Sequence, residues 1–432
     1  LLSSTTVFVS LTMEEVEAQP DMAEEQISLE KHKVSPLLPL KKFLRISRLA
    51  GGFPIKFKDD TLSEFRFEKF AYIYLMSCAC LLGFNLMSIG LIAHLKGRPL
   101  WRMVDFLRDC GMSTTDGVAS IALYLPTMVL TIWFAINYIK AGELTTEFCQ
   151  KFLALKGIHI LEVDFVRIYG RTLRRIQYIY VCVFASTTLI SFIYGQIIIP
   201  GASLDFATVM FYIIFFIDGL FVYFPLIIAA SFAILSQVLG ALNLALEQYN
   251  QIILDKLYTP PNPANSGDED DMILLGNQIV DILEFTNTMY GPMLIFEYTE
   301  CIIFIVIGYF FGISMFTVLE DGLRLVPFLN GLACFLIGVS ATLRVYGHNS
   351  GGQKLCRQTT KARRNLQKYV SHKFWTLSAE SANNYELQVK YLSKPAPIRP
   401  MDIFDLNWSS ALSLNGLMLT YIIVLLQFKL GE

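Results

Sequence analysis

Seven apolar stretches, at 70–94, 116–138, 177–199, 206–237, 295–318, 325–343 and 404–428, are each long enough to cross a bilayer. Within hydrocarbon every backbone N–H and C=O must find its partner inside the span, so each stretch is expected to be helical. Lys and Arg are distributed unevenly between them. Of the 35 such residues, 29 fall in the N-terminal segment and in the loops after the second, fourth and sixth spans; the alternate segments hold 6. Basic residues are retained on the cytoplasmic side at insertion. The N-terminus is therefore expected inside and the C-terminus, after seven crossings, outside. A G-protein-coupled receptor has its seven spans the other way up, so the charge count speaks against that class.

A chain that is 54% hydrophobic and 17% charged, with a mean hydropathy of +0.48, has the composition of an all-α polytopic membrane protein. No cleaved signal peptide is expected, because LLSSTTVFVSLT lacks a basic n-region and a convincing apolar core. Only Cys110 lies in an outer loop, so no disulfide framework forms there within one chain. Catalysis and cofactors find no footing. The five His are scattered, Cys78-Ala-Cys80 sits inside a span, and Gly51-Gly52 and Gly351-Gly352 lack the Lys-Ser/Thr of a phosphate loop. No nucleic-acid partner is expected.

The cytoplasmic segments carry most of the pattern outside the spans. The acidic run Glu14–Glu30 has the composition of a disordered tail, and residues 36–69 form a basic juxtamembrane segment suited to an amphipathic helix. Leu275, Ile279, Ile282, Leu283 and Tyr290 recur at helical spacing, as do Leu366, Tyr369, Val370, Phe374 and Leu377. The fourth span is expected to continue past Gly240 through Leu242, Leu246 and Tyr249. Thr259–Asp271, rich in Pro, Asn and acid, is expected to be a mobile loop. Apolar stripes outside the bilayer must bury against each other or against further copies of the chain.

The last span ends Thr420-Tyr421, five aliphatic residues, then Gln427-Phe428. This resembles the C-terminal signature of the insect gustatory receptors, relatives of the odorant receptors. His348, just past the sixth span, is similarly placed to a His common in that family. The resemblance implies a ligand-gated channel for cations (Na, K, Ca) in the plasma membrane, opened by a small-molecule tastant. It implies a homotetramer, with or without a co-receptor subunit, and a central pore lined by the seventh helix. It also implies cytoplasmic anchor helices and a ligand site in the outer half of each subunit. Helical spacing from Gln427 puts Val424, Thr420 and Leu417 on the same side, with Phe428 adjacent. A ring of Gln offers carbonyl oxygens to a cation, and a ring of Val or Phe closes a path by dewetting. Without the motif, Gln427 reads more simply as a cap on the span at the outer interface.

Asp218 is the one acidic residue near the middle of a span, about 16 Å down its helix. An intramembrane carboxylate is costly unless paired or hydrated, so it is either a ligand contact or a structural hydrogen bond. Phe211, Phe215 and Tyr212 lie near it in sequence; Tyr194 and Gln196 end the third span; Phe328 and Asn330 start the sixth; Tyr124 lies in the second. Together they make a candidate aromatic pocket with a few polar groups. Such a pocket suits a sugar if Asp218 is ionised and a bitter or aromatic compound if it is not. The expected layout is a tail (1–35), a juxtamembrane segment (36–69), six spans with the pocket (70–345), anchor helices (346–403) and the pore helix with a short outer tail (404–432). A transporter is the remaining alternative, although no inverted repeat is present.

Overall fold

The structure, a computed structural model, describes residues 36–41, 55–57, 65–67, 144–155, 158, 175, 176, 179, 182, 183, 186, 226–258, 267–317, 325–394 and 396–431. All fall within one unit, Val34–Glu432. Among the described residues are five long helices: α1 (Leu226–Tyr258), α2 (Gly267–Thr317), α3 (Leu325–Lys373), α4 (Ala379–Leu392) and α5 (Trp408–Gly431). A helical stretch at 144–153 and single 3-10 turns at Leu38–Leu40 and Pro400–Asp402 accompany them. Helix predominates as expected. Among the described residues the exception is a short antiparallel pair, β1 (Ile55–Phe57) and β2 (Phe65–Phe67), with Lys56 opposite Arg66. It lies in the segment read as an amphipathic helix. Each strand alternates apolar, basic, apolar, which is the period of a strand rather than a helix.

Helix α3 runs along α2 and also packs against α1, while α5 leans on α2 and α3. The predicted stripes supply the core. Leu242, Leu246 and Tyr249 of α1 are buried, as are Leu275, Ile279, Ile282, Leu283 and Tyr290 of α2. On α3, Leu366 and Tyr369 are buried and Val370 and Leu377 are half-buried. Phe374 departs from the stripe and is 59% exposed, because α3 stops at Lys373 before its face would turn inward. The loop expected over Thr259–Asp271 is shorter than read: α2 already begins at Gly267, and its first turns carry Asp268, Glu269, Asp270 and Asp271. Carboxylates complement the positive end of the helix dipole, which favours starting the helix there.

Polar bonds fix the register of α1, α2 and α4. The Tyr249 hydroxyl donates to Gln388 Oε1 at 2.9 Å, and Gln388 Nε2 donates to the Ile273 carbonyl (3.0 Å) and to Asn277 Oδ1 (2.8 Å). Burial pushes the Tyr249 phenol well above its ordinary pKa, so it remains a donor. Helix α4 is capped by Ser378, whose hydroxyl accepts from the Ser381 N–H at 3.0 Å. Higher on the α2–α3 pair small residues allow a close crossing. A Cβ on Gly308 would lie 2.6 Å from the Cys334 carbonyl oxygen and 2.9 Å from the Gly338 nitrogen. Helices in a bilayer associate through such contacts because hydrophobic burial does not drive them together there.

The connector from α4 to α5 is held tightly. The Arg399 N–H donates to Asn287 Oδ1 (2.9 Å) and Arg399 Nε to Asp405 Oδ1 (2.9 Å), while Met401 and Asp402 adopt φ of 48° and 57°. Burial, with the Asp405 carboxylate near it, pushes the Cys356 thiol up to about 11, which keeps it protonated and unreactive. Gly352 of α3 faces the connector so closely that a Cβ would collide with the Leu406 carbonyl oxygen; at Gly276 the collision is with the Gln388 and Tyr249 side chains. Backbone cannot rotate away and side chains can. Gly352→Ala is therefore expected to cost more of the about 1–3 kcal/mol typical of overpacking than Gly276→Ala. Melting temperatures of the two detergent-solubilised variants test this ranking.

Candidate functional site

Helix α5 has two unlike faces. Ala411, Met418 and Ile422 are buried, with Leu414, Asn415, Leu425, Leu426 and Lys429 half-buried; steps of three and four make this one seam. The seam is pinned at both ends. Near its start the Trp408 ring packs on Tyr346 (5.3 Å between centroids), Asn415 Nδ2 donates to the Tyr346 hydroxyl (2.5 Å), and the Trp408 N–H donates to Gln353 Oε1 (3.3 Å). At its far end Lys429 Nζ donates to the Ser314 hydroxyl of α2 and lies 6.0 Å from the Phe310 ring centroid.

The opposite face holds every residue singled out on this span. Leu417 (48% exposed), Val424 (37%) and Phe428 (66%) stand on it with the exposed Thr420 and Gln427. Nothing lies within 4 Å of where a Cβ on Gly416 would be. Both α2 and α5 contain a segment apolar enough to cross a membrane, yet the α2 segment is 67% buried and the α5 segment 17%. A helix so apolar and so bare within its own chain faces lipid or other copies of the chain.

The pocket residues are reached only in part. Tyr124, Tyr194, Gln196, Phe211, Tyr212, Phe215 and Asp218 lie outside the described residues. Phe328 is half-buried at the start of α3, and Asn330 follows two residues on in the same helix. Among the described residues a groove of about 700 Å³ lies elsewhere, between the end of α1 (Leu257, Tyr258) and an exposed face of α3 (Arg364, Gln367, Lys368, Ser371, His372).

A second feature, of which the sequence marked only His348, is a buried ionic cluster joining α2 to α3. Arg344 Nη1 lies 3.2 Å from Glu300 Oε2 and 3.9 Å from Glu297 Oε1, and His348 Nε2 lies 3.0 Å from that same Glu297 oxygen. The Arg and Glu side chains are at most 4% exposed and His348 is fully buried. The signal was present as Glu297/Glu300 at i, i+3 on one helix and Arg344/His348 at i, i+4 on the next. Each pair shares a face, but only the helix pairing brings them together. The next residue of each helix extends the match. Asn349 Nδ2 donates to the Tyr298 hydroxyl at 2.7 Å, the Tyr298 ring lies 6.4 Å from His348, and Phe404 of the connector lies 4.9 Å from Tyr298.

Removing one partner of a buried ion pair leaves an uncompensated charge, which costs about 3–5 kcal/mol. Arg344→Met is thus expected to abolish or strongly reduce folded protein, and Arg344→Met with Glu300→Gln to recover part of it. Fluorescence-detected size-exclusion profiles of the two variants check this.

Over residues 40–432 the chain matches the sequence profile of the 7tm chemosensory receptors, and it belongs to that family. It is accordingly a receptor and not an enzyme. Comparison with curated proteins gives no match. Among solved structures it is similar to the insect olfactory receptor OR5 from Machilis hrabei in complex with eugenol, at 12% identity and a TM-score of 0.49, covering 94% of this chain and 100% of that one. A second structure of that receptor is similar at 12% identity and a TM-score of 0.44, covering 90% and 97%.

Proposed function

We propose that this chemosensory receptor is a ligand-gated, non-selective cation channel of gustatory type, working as a tetramer in the plasma membrane. The observation that carries the reading is the bare face of α5. It sets Leu417, Thr420, Val424, Gln427 and Phe428 on the side of the helix away from its own chain, within the Thr420-Tyr421…Gln427-Phe428 signature. Four such faces around an axis make a conduit: Gln427 supplies amide oxygens, Thr420 a hydroxyl, and Val424 and Phe428 the apolar constriction. No acidic side chain lies in α5, so discrimination among Na, K and Ca is weak. The excess of Lys and Arg in alternate loops supports an N-terminus in the cytoplasm, and with it a direct current rather than G-protein coupling. The cytoplasmic ends of α1, α2 and α3, together with α4, form the anchor layer.

The ligand is a small tastant, a sugar or a bitter or aromatic compound, held in the outer half of the bundle. Asp218 contacts it, among Tyr124, Tyr194, Gln196, Phe211, Tyr212, Phe215, Phe328 and Asn330. Whole-cell recording from cells expressing this chain alone, challenged with sugar and bitter panels, is expected to give an inward current that survives block of G-protein signalling. Silence with the protein verified at the surface counts against a homomeric channel. Gln427→Ala and Val424→Ala are expected to change conductance or resting leak and to leave ligand potency within about threefold; unchanged single-channel currents would remove both from the pore. Asp218→Asn is expected to move potency about tenfold, the scale of one charged hydrogen bond, with reversal potential unaltered. A dose–response curve that stays put makes Asp218 structural.

A further inference from the structure

Two consecutive residues of α2 are read by two consecutive residues of α3. Glu297 bonds to His348 and Tyr298 bonds to Asn349, at 3.0 and 2.7 Å. Neighbours on a helix point about 100° apart, so this double match holds in one relative rotation and one axial register. A slide or roll of α2 against α3 breaks both bonds together. The arrangement is all-or-none, which is the property a switching element needs.

Tyr298 is also where this register meets the path to α5. Its ring, 3% exposed, lies 6.4 Å from the His348 ring of α3 and 4.9 Å from the Phe404 ring of the connector, centroid to centroid. Phe404 stands four residues before α5 begins. The connector around it holds two non-glycine residues with left-handed backbone, Met401 (φ 48°, ψ 31°) and Asp402 (φ 57°). Such conformations persist only when the surroundings over-determine them. Here the surroundings are Arg399 bonded to Asn287 and Asp405, the Leu406 N–H on the Ile398 carbonyl (3.1 Å), the close approach of Gly291, and Phe404 seated on Tyr298.

We propose that Tyr298 is the positioning residue that couples the α2–α3 register to the connector, and through it to the orientation of α5. This rests on the channel reading above. Tyr298 is neither one of the proposed pocket residues nor on the bare face of α5; it sets how readily the pore helix leaves the arrangement seen here. Its removal changes the balance between conducting and non-conducting states, not what permeates.

Three variants separate this role from simple stability. Tyr298→Phe keeps the ring and removes the acceptor for Asn349. Phe404→Leu removes the ring seated on Tyr298. Met401→Gly removes an exposed side chain and relieves the left-handed backbone, which stabilises the connector as it stands. The first two loosen the observed arrangement and the third secures it. Whole-cell currents evoked by fructose, caffeine and eugenol, together with the agonist-free holding current, give the readout, normalised to surface protein. Tyr298→Phe and Phe404→Leu are expected to shift the half-maximal concentration in one direction by about fivefold, the scale of one buried hydrogen bond. Met401→Gly is expected to shift it the opposite way, and reversal potentials stay unchanged in all three. Midpoints within twofold of wild type, or all three displaced in the same direction, overturn the proposal while leaving the channel intact. A wild-type chain at the surface that passes no current with any of the three compounds, and none without agonist, counts against the homomeric channel on which this coupling rests.

Discussion

Arg344 sits between two carboxylates where water does not reach, and neither α2 nor α3 can move without uncovering one of the charges. Ion pairs of this kind add little net stability compared with apolar packing, because desolvation offsets their attraction. What they supply is discrimination. Apolar faces slide past each other at modest cost, whereas a buried guanidinium has one acceptable neighbourhood. Once the register of α2 and α3 is set at Glu297, Glu300, Arg344 and His348, the small-residue crossing at Gly308 and Gly338 falls into place on one side. On the other, the connector is brought against Gly291 and Gly352.

The long helices divide their labour by surface. Those of α1, α2 and α3 are buried along much of their length and behave as a scaffold. Helix α5 keeps only a narrow seam against that scaffold and leaves the larger part of an apolar surface uncovered. A soluble chain with such a helix would aggregate. A membrane receptor of the chemosensory family can give one side of it to lipid and the other to its counterparts.

Much of this was legible in the sequence, for a specific reason. Helical spacing is a local property, so the stripes through Leu242, Leu246 and Tyr249 and through Leu275–Tyr290, the continuation of a helix past Gly240, and the shared face of Thr420, Val424 and Gln427 could all be read from one segment at a time. Features that depend on two segments could not. The ionic cluster needs the pairing of α2 with α3. The left-handed Met401 carries no glycine to announce it. The strand pair at 55–57 and 65–67 is too short for its alternation to stand out from a basic, apolar stretch. Phe374 was misplaced because periodicity does not say where a helix ends, and the loop at 259–271 ran long because acidic residues mark a helix start as well as a loop. The ligand pocket remains a reading of the sequence, since Asp218 and six of its companions lie outside the described residues.

Helix α5 is fastened near both of its ends, by Trp408 and Asn415 to α3 and by Lys429 to α2. Fastenings on one face resist tilting and sliding, and a roll of α5 about its own axis would have to carry Asn415 and Lys429 off their partners. One residue step on a helix is about 100° of roll, and Gln427 and Phe428 are one step apart. Under the channel proposal, turning through that angle would present an aromatic ring in place of an amide, about 1.5 Å along the axis. In the proposed channel such an aperture would open like an iris, by changing which side chain each blade presents once those fastenings let go.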